Sequence, residues 1–259
     1  MYFLQSIFLM KISIITTCFN RRFTIRDCIE SVLSQDYPDI EYIVVDGAST
    51  DGSLSIINEY KDRISTVISE SDTGMYEAIN KGLRVARGDV IGLLHSDDFL
   101  YSPHTISHIA REIESSQADF VYGDGLFVDA FDPDKVVRNW ISGRYTKGKV
   151  RRGWLPLHPT CYIRREVIEK WGMYDESYRI AADSEFLVRY LYEADLGVHY
   201  IREYVVRMRM GGLSTDPAKM KVKWSEDLRM YRQHGFPAYW ALCCKIVSKI
   251  PQFISARMK

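Results

Sequence analysis

The chain has 259 residues, 46% of them hydrophobic, with 34 basic against 34 acidic side chains. That length fits one large α/β domain with a short appendage or two small domains, and the apolar content excludes a disordered chain. Zero formal net charge excludes a global field favouring nucleic acid, and five cysteines without a CxxC spacing exclude a disulfide framework or zinc site and point to a reducing compartment. The first ten residues are apolar without a basic leader, and too short to span a bilayer. Met10 is therefore read as the start of translation, ahead of a short membrane-contacting extension. Residues 12–16 are a β-branched run that fits a buried parallel strand. A helix is expected over 22–33, where Ile25, Cys28, Ile29, Val32 and Leu33 share one face. Strands follow at 41–46, 64–69 and 90–94, and helices at 53–60, with Asp51 as a candidate cap, and at 73–86. Strand and helix thus alternate up to residue 94, the pattern of a mostly parallel sheet with helices on both faces. No run of eighteen apolar residues occurs, so no transmembrane helix is expected.

Beyond residue 100 the pattern loosens. Ser102-Pro103 opens a helix with Pro at its first position. A strand is expected at 119–122, weak strands at 125–129 and 135–140, and a basic mobile loop at 144–152. A strand at 160–163, a helix at 166–171 stopped by Gly172, and an amphipathic helix at 183–193 come next. Strands at 198–201 and 204–208 lead to a long helix at 217–234 ended by Gly235. From residue 228 on there is no acidic residue but six basic ones, interleaved with Trp240, Leu242, Ile246, Val247, Ile250, Phe253 and Ile254. Such a segment can lie on an anionic membrane. It can equally pack on the domain with its lysines in water.

In parallel sheets, ligands bind beyond the carboxyl ends of the strands. Polar clusters at Asn20, Asp46 and His95-Ser96-Asp97-Asp98 all fall there. Adjacent carboxylates repel unless a cation compensates, and a hard divalent ion can do so while bridging phosphate oxygens. The plainer alternative is that the Asp pair caps the next helix. Asp46 before Gly47 can accept from a base or ribose hydroxyl, or simply form a turn. Asp72-Thr73-Gly74 repeats the arrangement after the third strand.

Several stretches, in order, resemble family 2 glycosyltransferases. They are Ile14-Ile15-Thr16-Thr17-Cys18-Phe19-Asn20, Val44-Val45-Asp46-Gly47-Ala48-Ser49-Thr50-Asp51-Gly52-Ser53, the run from Ser69-Glu70-Ser71-Asp72-Thr73-Gly74 to Asn80-Lys81-Gly82, and the Ser96-Asp97-Asp98 end. The resemblance is nearest to bacterial enzymes of surface polysaccharide synthesis, such as those for colanic acid or O-antigen. It implies an α/β GT-A fold, Rossmann-like, to which the helical pattern beyond residue 216 adds a C-terminal extension. It also implies an inverting hexosyl transfer from a nucleoside-diphosphate sugar, first of all a UDP-sugar. By position, Thr16, Asn20, Asp46, Asp72, His95, Ser96 and Asp97 correspond to nucleotide-sugar contacts. Asp97 matches the last aspartate of the family's metal motif and would hold Mn²⁺ or Mg²⁺, although His95 stands where the family has its first aspartate. Asp183 keeps the position of a catalytic carboxylate, because an attacking alcohol must lose its proton, while Ala182 replaces the family's glutamate. Its other reading is a helix cap, and Glu185 is the second candidate. Trp154 is read as stacking on an acceptor sugar or as packing in the core, and His158 as bordering the acceptor or diphosphate or as a structural histidine. Arg209-Met210-Gly211-Gly212-Leu213-Ser214 resembles the loop that closes over the donor, with Arg207 or Arg209 either pairing with the diphosphate or standing as solvated strand arginines.

The expected organisation is a catalytic domain over 11–215, with a nucleotide half at 11–100 and an acceptor half at 101–215, followed by a basic amphipathic extension at 216–259. The expected partners are the sugar donor, a glycan or lipid-linked acceptor and the cytoplasmic face of the inner membrane, with no nucleic acid. A nucleotidyltransferase would carry a glycine-rich basic loop at 16–22, and glycine is missing there. A non-catalytic sugar-nucleotide-binding protein would keep Asp46 and Asp97 without needing Asp183.

Overall fold

The computed structural model describes residues 9–211 and 220–248. Strand β1 (Ile12–Cys18) is buried along its whole length, as a central parallel strand must be. It pairs in parallel with β2 (Ile40–Asp46) on one side and β4 (Val90–Leu93) on the other, and β3 (Thr66–Ser69) pairs in parallel with β2. Helices α1 (Ile25–Leu33), α2 (Ser53–Glu59) and α3 (Met75–Val85) make the crossovers. The chain steps outward from β1 to β2 and β3, then returns across β1 to β4. This reversal leaves a crevice at the carboxyl ends of the strands.

Among the described residues the sheet has nine strands, in the order β3-β2-β1-β4-β8-β6-β9-β5, with β7 on β6. The second half is mixed rather than mostly parallel. β8 (Tyr162–Arg164) inserts antiparallel between β4 and β6 (Phe120–Val128), and β9 (Val198–Arg209) runs parallel to β6. Two strands expected at 198–208 are one. The expected break falls at Arg202-Glu203, where the ladder to β6 carries its irregularity between Tyr122 and Asp124. β5 (Phe99–Leu100) is a two-residue bridge to β9 that periodicity did not reveal, and β7 spans Val136–Trp140.

Helix α4 (Thr105–Ser116) begins after Pro103, with Ser102 turning the chain by accepting the His104 N–H at 3.2 Å. The basic segment at 144–152 contains a helical turn, α5 (Lys147–Val150), capped by Thr146, which accepts the Lys149 N–H. α6 (Arg165–Trp171) stops at Gly172, whose φ of 86° suits glycine. α7 (Ala182–Val188) continues into a wider turn at Arg189–Glu193. α8 (Met220–Gln233) and α9 (Ala238–Val247) meet at Gly235, φ 69°.

Strand alternation divides the core. Ile43 and Val45 face one layer with Ile79, Leu83, Phe186, Tyr190, Met230, Tyr231 and Ala241. Tyr42 and Val44 face the other with Ile25, Ile29, Ile106 and Ile109. Helices α8 and α9 therefore contribute side chains to the same core layer as α3 and α7. The expected start at Met10, the Gly212-Leu213-Ser214 loop and the tail at 249–259 concern segments mostly outside the described residues.

Candidate active site

At the end of β2, Asp46 is fully buried. Its Oδ2 accepts the Ser49 N–H at 3.1 Å and the Ser69 hydroxyl at 2.8 Å, while Oδ1 has no partner among the described residues. A buried carboxylate oxygen without a donor carries a desolvation cost. It is the kind of acceptor that a ligand N–H or hydroxyl would satisfy. Gly47 follows because the space is taken. A Cβ there would lie 2.4 Å from Asp72 Oδ2 and 3.4 Å from the Phe19 ring. Asp46 and Asp72 thus sit side by side across one glycine. Burial, the larger cause, raises the Asp72 carboxyl above its ordinary range, with Asp46 adding to the shift.

The loop after β1 is stitched to this turn. Asn20 adopts a left-handed φ of 52°, accepts the Thr50 N–H at 2.9 Å through Oδ1, and donates its own N–H to Ser49 Oγ at 2.8 Å. Phe19 and Phe23 remain exposed beside it. Thr16 differs from its expected place beside the nucleotide. It is wholly buried, its hydroxyl accepts from Tyr42 Oη at 3.2 Å and contacts Cys28, and it shares the α1-facing side of β1 with Ile12 and Ile14. Alternation along β1 turns it into the core.

At the end of β4 the two aspartates divide. Asp98 is buried and accepts the Arg209 backbone N–H at 3.0 Å, and its carboxyl is pushed well above the ordinary range by burial first and by Asp97 second. Asp97 remains partly exposed at the crevice, and Ser96 is buried behind it. The expected pairing of Arg209 with a diphosphate meets a guanidinium already engaged. Nη1 donates to the Asp97 carbonyl at 2.9 Å, Nη2 binds Asp27, and the group lies 5.0 Å from the Phe99 ring centre. Arg209 therefore braces the turn that presents Asp97.

His95 faces His158, with ring centres 6.3 Å apart. Burial lowers the His95 pKa, against the opposing charges of Asp97 and Asp183. Burial likewise brings His158 down to about 4, so both rings are neutral at neutral pH. His158 Nε2 shares a 2.6 Å hydrogen bond with Tyr174 Oη. Asp183, in the first turn of α7, completes the group. Although burial raises its pKa, His158, Lys245 and Lys223 outweigh that, and the carboxyl titrates below its ordinary value. An ionised, partly exposed carboxylate thus stands across two histidines from Asp97. Glu185, the second candidate base, is occupied: its two oxygens accept from Arg189 Nε at 2.9 Å and Nη2 at 3.0 Å. Trp154 donates Nε1 to the Ser142 carbonyl at 2.9 Å and packs edge-on against Tyr122.

Two contributors escaped the sequence reading. Tyr76 on α3 donates to the Ile180 carbonyl at 2.8 Å and lies 3.4 Å from the Asp183 N–H. Glu226 on α8 accepts the N–H groups of Arg179, Ile180 and Ala181. Tyr76 lies within the run from Ser69 to Gly82 that resembles the family, but the resemblance assigns it no role. Glu226-Asp227 carried a local sign, as the last acidic pair before the acid-free tail. No helix of the described residues is long and apolar enough to cross a membrane.

Comparison with known proteins bears on this arrangement. The model of the family described as Glycosyl transferase family 2 matches residues 13–172. A PGL/p-HBAD biosynthesis glycosyltransferase of Mycobacterium bovis is 30% identical over 216 residues, 78% of each chain. The uncharacterized glycosyltransferase EpsJ of Bacillus subtilis is 29% identical over 248 residues, 86% of this chain and 70% of EpsJ. Among solved structures, S. aureus TarS 1-349 in complex with UDP-GlcNAc superposes with a TM-score of 0.69 at 19% identity, covering 85% of this chain and 65% of that one. This chain covers only 39% of a longer TarS structure. The mannosyltransferase PcManGT from Pyrobaculum calidifontis, in complex with GDP-Man and Mn²⁺, has a TM-score of 0.64 at 15% identity, covering 96% and 74%.

Proposed function

We propose, from the premise that this chain belongs to glycosyl transferase family 2 and is a glycosyltransferase of the GT-A fold, that it moves a hexose from a nucleoside-diphosphate sugar to a hydroxyl with inversion. The observation that carries the reading is Asp183, a partly exposed carboxylate held ionised opposite Asp97. The nucleoside lies over the ends of β1 and β2, where Asp46 Oδ1 accepts from base or ribose and Asp72 offers a second contact. Asn20 shapes that wall through the Ser49-Thr50 turn, and the exposed Phe19 ring offers a stacking face. His95, neutral, can donate to or accept from the donor's ribose or sugar.

Asp97 supplies one carboxylate. Among the described residues, no three His, Cys, Asp or Glu side chains gather to hold a metal. That donor set suits Mn²⁺ or Mg²⁺ shared with substrate phosphates, since such ions are commonly held by one or two carboxylates plus phosphate oxygens. When bound, the ion neutralises charge on the departing diphosphate. Asp183 removes the acceptor proton, and the acceptor oxygen forms its bond to the anomeric carbon from the opposite face. The carbon–oxygen bond to the diphosphate breaks with its electron pair going to the diphosphate. Trp154 and His158 border the acceptor side, where His158 acts through Tyr174 and the orientation of the Asp183 turn.

The donor class is open between UDP-sugars, the first choice, and GDP-sugars, the ligands in the TarS and PcManGT structures respectively. The acceptor is a glycan or lipid-linked saccharide of surface polysaccharide synthesis at the cytoplasmic face of the membrane. Helix α9 supports the membrane part of this reading, because Tyr239, Trp240 and Val247 are 69%, 62% and 62% exposed and the sequence that follows it carries Lys249, Arg257 and Lys259 and no acidic residue. Anionic vesicles should sediment the protein, and Trp240→Ala with Tyr239→Ala should weaken this. Equal sedimentation by the double variant refutes the contact.

The first test is thermal stabilisation by a panel of nucleoside diphosphates with and without Mn²⁺. A ligand at a hundred times its dissociation constant adds about 2.7 kcal/mol. One nucleotide should raise the melting temperature in a metal-dependent way, and Asp97→Ala should lose the metal-dependent part. Stabilisation of Asp97→Ala equal to wild type removes Asp97 from the site.

A further inference from the structure

We infer that Glu226 on α8 is a positioning residue for sugar transfer: its carboxylate holds the turn that aims Asp183, so the C-terminal helices complete the active site. This rests on Asp183 being the base, as proposed above. The first amides of an α-helix have no partner within the helix and need a cap. At α7 the residue before the first turn is Ala181, which has no polar side chain and makes no cap bond; the Asp183 N–H lies 3.4 Å from Tyr76 Oη and the Ser184 N–H donates to Asp183 Oδ1 at 2.7 Å. The three amides of the turn leading into α7, ahead of the helix's own first amides, are held instead from 45 to 47 residues downstream. Glu226 Oε1 accepts the Arg179 N–H at 2.8 Å, and Oε2 accepts those of Ile180 and Ala181, both at 2.9 Å. Three N–H groups on one carboxylate are charge-assisted bonds, stronger and more directional than neutral ones.

The rest of α8 presses the same segment. Glu226, Arg229 and Gln233 lie at i, i+3 and i+7, one face of the helix. The Arg229 guanidinium sits 3.7 Å from the Tyr178 ring centre and donates to the Ser177 carbonyl at 3.1 Å, and Tyr178 Oη donates to Gln233. From the opposite side, Tyr76 of α3 donates to the Ile180 carbonyl at 2.8 Å. Just past Asp183, Lys245 of α9 donates to Ser184 Oγ at 3.0 Å and to Asp227 at 2.8 Å. The backbone carrying Asp183 is thus held between a helix of the nucleotide half and the two C-terminal helices. Glu226 has both oxygens filled by backbone amides and is 9% exposed, so it works through Asp183 and not on substrate.

The test compares the full chain with Glu226→Ala, Glu226→Gln and Asp183→Asn. Nucleoside-diphosphate release from UDP-GlcNAc and GDP-mannose reads turnover, UDP and GDP affinity reads the donor site, and amide hydrogen exchange reads residues 179–181. Glu226→Ala should lower turnover by about ten- to a hundredfold, the cost of a small misplacement of a reacting group, with nucleotide affinity unchanged. Glu226→Gln, which keeps one acceptor oxygen, should recover part of the loss. In Glu226→Ala the amides of Ile180 and Ala181 should exchange faster by about a hundredfold, as a local opening of lowered cost. Unchanged exchange at these amides overturns the clamp, whatever the turnover. Turnover surviving in Glu226→Ala while Asp183→Asn is inactive overturns the positioning role alone, and turnover surviving in Asp183→Asn overturns the base reading with it. If Glu226→Ala does not fold, Glu226→Gln carries the same comparison, with a smaller loss expected and no loss refuting the role.

Discussion

Asp183 and His158 lie in one polar junction but are driven to the form that suits each. His158, buried and bonded to Tyr174, takes up a proton only near pH 4 against an ordinary value of 6.5. Between those values the unfolded chain takes up a proton that the folded chain refuses, so stability rises with pH across the window and is lost as pH falls through it. At 1.36 kcal/mol per unit, the loss between pH 6.5 and 4 is about 3 kcal/mol. Denaturant unfolding at pH 4.5 and 7 should show this slope, and His158→Phe should flatten it. Asp183 is shifted in the same direction, so its contribution has the same sign in a lower pH window. Its carboxyl is lowered despite burial, because His158, Lys245 and Lys223 favour the charged form. Its contribution is present above the ordinary carboxylate pKa and is lost only as pH falls through the lower, folded value. The base therefore stays competent through mildly acidic conditions. Asp183→Asn should lower turnover by about 10²- to 10⁴-fold, the usual worth of a general base, and leave nucleoside-diphosphate affinity within twofold or so of wild type.

At the scale of elements, the crevice is built from turns whose geometry depends on one or two residues. The β2–α2 turn needs Gly47 because Asp72 Oδ2 occupies the place of a side chain. Gly47→Ala should push Asp72 aside and weaken nucleotide binding by about tenfold, roughly 1.4 kcal/mol, with little change in melting temperature. Unchanged affinity, read by calorimetry, would separate Asp72 from the nucleotide. The turn after β4 is braced from β9 by Arg209, whose side chain joins the Asp97 carbonyl to Asp27. Arg209→Ala should cost about 2 kcal/mol of stability, the range for hydrogen bonds to charged groups, and should loosen metal-dependent nucleotide binding together with it. A loss of nucleotide affinity at full stability would instead return Arg209 to the diphosphate.

For the molecule as a whole, α8 and α9 share a core layer with the catalytic elements. Met230, Tyr231 and Ala241 are fully buried in the cluster that contains Val150, Leu155 and Tyr190. Tyr231→Ala should cost about 3–5 kcal/mol, as for other buried aromatic truncations. A chain ending at residue 215 should lose its cooperative melting transition, because the layer over α7 is then open to water. A sharp transition and retained nucleotide binding in that truncation would make the C-terminal helices a separate appendage.

The sequence alone determined the parallel half and the crevice. Runs such as Ile12–Cys18 and the helical spacing of Ile25, Ile29 and Val32 are local periodicities, set by neighbours within a turn or a pleat. Strand-end carboxylates follow from where those runs stop, so Asp46, Asp72 and Asp97 were legible without knowing any contact. Tertiary structure decided what depends on distant partners. The antiparallel insertion of β8, the merging of 198–209 into one strand and the short bridge β5 are choices of neighbour that periodicity does not encode. The same holds for Thr16, whose face followed from β1's register against α1, and for Arg209, whose guanidinium was met by Asp27 from 182 positions away. The charges at Asp98, His158 and Asp183 depend on burial and on facing groups. Both arise only when the chain has closed around them.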